Sequence, residues 1–201
     1  MEKKLIYVHG KGGSAEMAAH FQPFFADCDC VGMDYRAQTP WEAMREFPAW
    51  FDEQTRGASS VTLIASSLGA YFSLCALADK PIDCALLISP VVNMERLILD
   101  MMIWAGTNEE ELREKKRIPT EFGETLDWDY LCYVRQHPIA WHTPTRILCG
   151  EKDHMISLAT MTDSARSLNA PLTVMPDGEH WFHTEEQMTF LDRWIMDSIG
   201  Q

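Results

Sequence analysis

Six short apolar runs, each leading toward a segment suited to helix, constrain this chain more than anything else in it. They fall at 5–8, 30–33, 61–64, 85–89, 145–149 and 172–175. Runs of this length without polar alternation suit strands buried on both faces, which is the pattern of parallel sheets covered by helices on either side. Strand–helix alternation with right-handed crossovers then gives an α/β chain with a mainly parallel sheet. A chain of 201 residues is long enough to bury such a sheet in one compact domain. No linker or low-complexity tract interrupts the alternation, and one domain over 1–201 is expected.

Helix starts are legible between the runs. Thr39-Pro40-Trp41-Glu42 reads as a capping box with proline at the first helical position, and Thr184-Glu185-Glu186-Gln187 reads as another that opens a terminal helix. Pro48 removes a backbone donor and crowds the preceding turn, so it is expected to kink or divide the first of these helices. The interval 91–142 breaks the rhythm. It is too long for one crossover and carries three helical candidates, at 97–104, 109–116 and 127–136.

The chemistry concentrates where runs end. Ala65-Ser66-Ser67-Leu68-Gly69 lies between an apolar run and a helix-forming stretch, with small residues two before and two after Ser67. That spacing suits a sharp strand–turn–helix in which the Ser67 hydroxyl is pushed out beside a helix N-terminus, so Ser67 is the candidate nucleophile. The usual form is G-x-S-x-G, and Ala65 replaces the first glycine. The first run empties into His9-Gly10-Lys11-Gly12-Gly13-Ser14, where glycines allow backbone N–H groups to turn inward, as oxyanion binding requires. A phosphate loop is rejected, because G-x-x-x-x-G-K-[ST] needs its lysine late and Lys11 comes early. The fifth run is followed by Gly150-Glu151-Lys152-Asp153-His154, and the sixth by Pro176-Asp177-Gly178-Glu179-His180-Trp181-Phe182. Serine, aspartate and histidine therefore follow in that order, each at a strand end.

With these four segments the chain resembles the α/β-hydrolase family over nearly its whole length. The resemblance implies a single-domain α/β-hydrolase fold of about six mainly parallel strands with helices on both faces and a helical cap insertion at 91–142. The two antiparallel strands that open larger members have no room before His9. Carried onto this sequence, it implies Ser67 as nucleophile, His180 as general base and then acid, and Asp153 as the carboxylate that orients the imidazole. Asp177 and Glu151 remain alternative acids, and a helix-capping role remains open for Asp153. The implied oxyanion donors are the backbone N–H groups of Leu68 and Lys11. Ala65 and Lys11 are departures from the family's usual residues. Within the cap, Met94, Leu97, Met101, Met102, Trp104, Trp128, Tyr130 and Tyr133 are pocket candidates, joined by Trp181 beside His180; the alternative for each is simple packing of the cap.

The function expected is cleavage of a small ester or thioester through an acyl-enzyme on Ser67. A hydrolase-fold binding protein with a relaxed site, or an acyltransferase, are the alternatives. Dehalogenation on this fold needs a carboxylate where Ser67 stands, and no G-x-G-x-x-G follows a strand to bind a dinucleotide, so no cofactor is expected. His180 and His183 form no H-E-x-x-H type arrangement, so no metal is expected either. Lys and Arg total 17 against 30 Asp and Glu, a net charge of −13, which argues against nucleic acid or anionic membrane as a partner; the partner that the resemblance implies is a small acyl substrate. No apolar run is long enough to span a bilayer, and the first residues lead straight into a strand, so a cytoplasmic location is expected. Six cysteines without a C-x-x-C pair, mostly in apolar runs, read as reduced thiols. Nothing in the sequence sets the oligomeric state.

Overall fold

The computed structural model describes residues 2–199. Along the chain run β1 (Lys3–Val8), α1 (Ala18–Phe21), β2 (Cys28–Met33), α2 (Pro40–Gln54), β3 (Ser60–Ser66), α3 (Ser67–Ala76), β4 (Cys84–Ile88), α4 (Met94–Trp104), α5 (Glu109–Lys115), β5 (Arg117–Pro119), β6 (Thr125–Asp127), α6 (Trp128–Gln136), β7 (Thr145–Gly150), α7 (Leu158–Ser167), β8 (Leu172–Met175) and α8 (Glu185–Ile199). Six strands form one sheet in the order β2-β1-β3-β4-β7-β8, and every pairing within it is parallel. Each of the six apolar runs is one of these strands. Their C-terminal ends lie along one edge, where loops between strand and helix gather side chains from distant parts of the sequence.

The register explains the core. Tyr7 of β1 pairs beside Ile64 of β3, and Ile64 beside Leu86 of β4, so alternate residues of adjacent strands line one face. That face meets Phe21 of α1 and Leu191, Trp194 and Ile195 of α8 in a single apolar cluster. Cys28 and Cys30 share a side of β2, as alternation requires, and pack against this cluster with Cys84. All six cysteines are free thiols. Burial pushes the Cys30, Cys75 and Cys149 thiols up to about 11, which keeps them neutral at physiological pH.

Pro48 does not divide its helix. α2 runs unbroken from Pro40 to Gln54, with Ala43, Phe47 and Phe51 buried at four-residue spacing on either side of the proline. The Phe47 ring meets Phe72 of α3 edge-on at 6.3 Å, and burial of this stripe on both sides holds the helix together where one backbone bond is missing. At its start the reciprocal capping box forms: Glu42 N–H donates to Thr39 Oγ1, and the Thr39 N–H donates to the Glu42 carboxylate. Bonds from the Gln38 N–H above all hold the Glu42 carboxyl below its ordinary value of 4.5. A depressed carboxyl pKa stabilises the fold above the unfolded value and loses that contribution as pH falls through the folded one. Glu42→Gln is therefore expected to be less stable than the parent at pH 7, and the difference should shrink in urea titrations as pH drops below about 4.5.

Two compact units divide the chain. The sheet and its helices make up one, comprising the described residues up to Val92 and those from Ala140 onward; Asn93–Ile139 is the other. The second unit contains α4, α5 and α6, as the sequence suggests, and also the antiparallel hairpin β5–β6, which the sequence reading does not include. Each of its strands is only three residues long, too short for a period of two to register. The turn depends on Gly123 at φ 85° and on Thr120, whose N–H donates to the Glu124 carbonyl at 2.8 Å. Arg135 ties this unit together from α6, donating to Glu95 on α4 and to Glu109 on α5 at 2.7 Å each.

Candidate active site

Ser67 sits at the junction of β3 and α3 with φ 48°, a left-handed conformation rarely adopted by residues other than glycine. Such strain persists only where the surroundings impose it. They do so here from two sides. The Val91 N–H donates to the Ser67 carbonyl at 3.1 Å, bracing the turn from the segment after β4. On the other side Gly69 lies so close to the β1 loop that a Cβ there would stand 2.0 Å from the His9 carbonyl oxygen. A side chain at 69 would force strand and helix apart, so the glycine two residues after the serine is required by close approach. Ala65, fully buried in β3, occupies the earlier small position.

The strand-end loops of β7 and β8 supply the partners. A Cβ on Gly150 would lie 2.3 Å from Gly178, so only glycine lets these loops run against one another. Backbone bonds then fasten them, from the Glu151 N–H to the Met175 carbonyl at 2.9 Å and from the Lys152 N–H to the Gly178 carbonyl at 2.8 Å. Across that seam Asp153 Oδ2 lies 2.6 Å from His180 Nδ1, and His180 Nε2 lies 2.8 Å from Ser67 Oγ. The Asp153 side chain is 2 % exposed and that of His180 11 %. A carboxylate can only accept, so Nδ1 carries the proton, and the bare Nε2 accepts from the Ser67 hydroxyl. Asp153 Oδ1 meanwhile accepts from the N–H groups of Met155 and Ile156 at 2.8 and 3.0 Å. One oxygen thus fixes the turn and the other fixes the imidazole, while α7 is capped by Ser157. The alternative acids lie elsewhere: Asp177 pairs with Lys152 at 2.6 Å, and Glu151 accepts from the Asp177 N–H.

Leu68 lies in the first turn of α3, where N–H groups have no intrahelical acceptor and the helix dipole is positive. Lys11 lies in a turn closed by the Gly13 N–H on the Gly10 carbonyl at 3.0 Å, with Gly12 at φ 75°. That turn presses on the serine, since a Cβ on Gly10 would stand 2.9 Å from Ser67 Cβ.

Solved structures with the same architecture place this geometry in context. Est1E from Butyrivibrio proteoclasticus superposes with a TM-score of 0.77 at 14 % identity, over 98 % of this chain and 87 % of that one. Alpha/beta hydrolase domain-containing protein 10 from mouse gives 0.72 at 15 %, over 98 % and 89 %. The chain has the α/β-hydrolase fold. A proline iminopeptidase-related protein from Thermus thermophilus shares it, with a TM-score of 0.64 at 21 % identity over 98 % and 89 %. Est1E has also been solved with ferulic acid bound, and that structure matches with a TM-score of 0.71 at 13 % identity over 98 % and 88 %. No protein-family model matches the sequence, and no curated protein sequence matches it.

The pocket candidates belong to both units. Trp181 follows His180 directly, is 74 % exposed, and stacks on His183 with ring centroids 5.0 Å apart. Met94, Leu97, Met101, Met102, Trp104, Trp128, Tyr130 and Tyr133 belong to the 93–139 unit. There Met94, Leu97 and Met102 are buried, whereas Trp104 is exposed and meets Phe122 edge-on at 6.2 Å. Lys116 Nζ lies over the Trp128 ring at 5.8 Å.

Gln187 emerges as a supporting residue that the sequence pattern describes incompletely. Thr184 caps α8 by accepting from the Gln187 N–H at 3.2 Å. The Gln187 side chain reaches further back than a capping box predicts, accepting from the His183 N–H at 3.1 Å and donating to the Glu179 carboxylate at 3.3 Å. It spans the loop that carries His180 and is itself buried. Gln187→Leu leaves the His183 N–H without this acceptor, so a stability loss of about 0.5–1.5 kcal/mol in urea denaturation is expected.

Proposed function

We propose that this protein is a serine hydrolase that cleaves a small ester or thioester through an acyl-enzyme on Ser67. The observation that carries the proposal is the continuous chain from Asp153 through His180 to Ser67, with bonds of 2.6 and 2.8 Å, ending on a serine in strained backbone. In this reading His180 Nε2 takes the Ser67 proton as Oγ attacks the acyl carbonyl, and Asp153 stabilises the imidazolium that forms. The Leu68 and Lys11 N–H groups hold the oxyanion of the tetrahedral intermediate. His180 then delivers its proton to the leaving alcohol or thiol. Water, deprotonated by the same nitrogen, attacks the acyl-enzyme and releases the acid.

In this reading Trp181, next to His180 in the chain and 74 % exposed, is a candidate for contact with the acyl group. Ferulic acid in Est1E makes aryl-substituted acids a reasonable acyl class to try beside short aliphatic ones. No helix among the described residues is long and apolar enough to cross a membrane. The test is covalent capture of Ser67 by a fluorophosphonate together with turnover of short-chain and aryl-acid esters. Capture and turnover that both disappear in Ser67→Ala support the reading; turnover that persists in that variant overturns it.

A further inference from the structure

We propose that Tyr35 is a positioning residue for the oxyanion-binding loop, acting through the backbone carbonyl of His9. The inference rests on the serine-hydrolase reading and adds to it a residue from the segment after β2. Two groups converge on the His9 carbonyl oxygen. Tyr35 Oη donates to it at 2.8 Å, and Gly69, two residues beyond the nucleophile, approaches it so closely that no side chain fits between. The His9–Gly10 peptide plane is thereby held from two directions. That plane sets the course of the next turn, whose Gly10 rests against Ser67 and whose Lys11 is the proposed second oxyanion donor.

Tyr35 is built to hold still. Its ring stacks on the His9 imidazole with centroids 4.5 Å apart and 19° between planes. Phe47 of α2 and Phe72 of α3 meet it edge-on at 5.2 and 6.0 Å, tying it to both helices on that side of the sheet. The residues that follow it are anchored as well, because the Glu46 carboxylate accepts from the Arg36 and Ala37 N–H groups at 3.0 Å each. Burial, more than any neighbouring charge, holds the Tyr35 phenol above its ordinary value, so it remains a protonated donor across the neutral range. The His9 imidazole, by contrast, contacts its own loop, with Nδ1 2.8 Å from the Gly10 carbonyl oxygen. A stacked ring alone would leave the peptide plane free to rock; the hydroxyl fixes its angle.

Tyr35→Phe keeps the ring and its stacking and removes only the hydroxyl. On sites counted by fluorophosphonate titration, kcat for an aryl ester is expected to fall roughly tenfold to a hundredfold, as for a small misplacement of catalytic groups, with KM little changed. Affinity for a trifluoromethyl ketone, whose hydrate-like adduct on the serine places an oxyanion in the same hole, should fall by a similar factor. Tyr35→Leu, which removes the ring as well, should lose more. A purely structural role would lower the thermal midpoint and the number of titratable sites, with kcat per site and ketone affinity unchanged, and that result overturns the proposal. Wild-type protein that takes up no fluorophosphonate overturns the hydrolase reading and this proposal together. Labelling of wild type with equal kcat per site in Tyr35→Phe overturns this proposal alone.

Discussion

Ser67→Ala is expected to lower ester turnover by roughly 10⁴ to 10⁶, leaving a folded protein, and His180→Ala to do nearly as much damage, because the two act as one unit. The hydroxyl contributes a single bond to the structure, to His180 Nε2 at 2.8 Å, and its removal leaves the sheet and the loops untouched. What the variant does not relieve is the backbone, since alanine at φ 48° is as strained as serine. Ser67→Gly removes hydroxyl and strain together. It should therefore be more stable than Ser67→Ala by on the order of 1 kcal/mol while being equally inactive. Paired denaturation curves check that difference, and equal stability of the two variants would show that the turn stores no strain.

The second large effect belongs to Asp153, where the two carboxylate oxygens can be separated by mutation. Asp153→Asn keeps an oxygen for the Met155 and Ile156 N–H groups, so the turn and the fold should survive. Its amide can face His180 Nδ1 only as a donor. That forces the proton to Nε2, leaving no acceptor for the Ser67 hydroxyl and no negative charge beside the imidazolium. A loss in kcat of about 10⁴ is expected, as for other triads of this geometry with an amide in place of the acid. Asp153→Ala should lose activity and also about 1 kcal/mol or more of stability, because the N–H groups of Met155 and Ile156 are left without their acceptor. Unfolding titrations beside rate measurements distinguish the pair. An active Asp153→Asn would transfer the role to another acid, although Asp177 and Glu151 are engaged in their own loop contacts.

Much of this is legible in the sequence because it depends on local rules. Each of the six apolar runs falls in a strand; the four inner strands are largely buried, as runs without alternation require, while the edge strands β2 and β8 are mostly part-buried. The strand–turn–helix around Ser67 is legible from the small residues flanking it, and the strand ends carrying Asp153 and His180 from their glycines. What the residues alone leave open is which acid serves His180. Which of Glu151, Asp153 and Asp177 comes to lie against His180 depends on how two loops from β7 and β8 cross, and the close approach of Gly150 and Gly178 brings Asp153 there. Pro48 does not divide α2, because packing of Phe47 and Phe51 on either side of it holds the helix continuous. The β5–β6 hairpin escapes notice because strands of three residues carry almost no periodic signal.

Tyr35 and Gln187 escape for a different reason. Each acts on a segment remote in sequence or outside its usual motif: Tyr35 reaches back 26 residues to a backbone carbonyl, and Gln187 bonds the residue before the cap. Backbone atoms have no sequence signature, so a side chain that recognises them looks like any other tyrosine or glutamine until the fold is seen.

Intact-protein mass after incubation with a fluorophosphonate, run beside Ser67→Ala, interrogates the nucleophile without needing the natural substrate. If Ser67 is the working nucleophile, the wild-type chain carries one adduct, mapped to Ser67 and absent from the variant. No adduct on folded wild-type protein, or an adduct that persists in Ser67→Ala, would contradict that assignment.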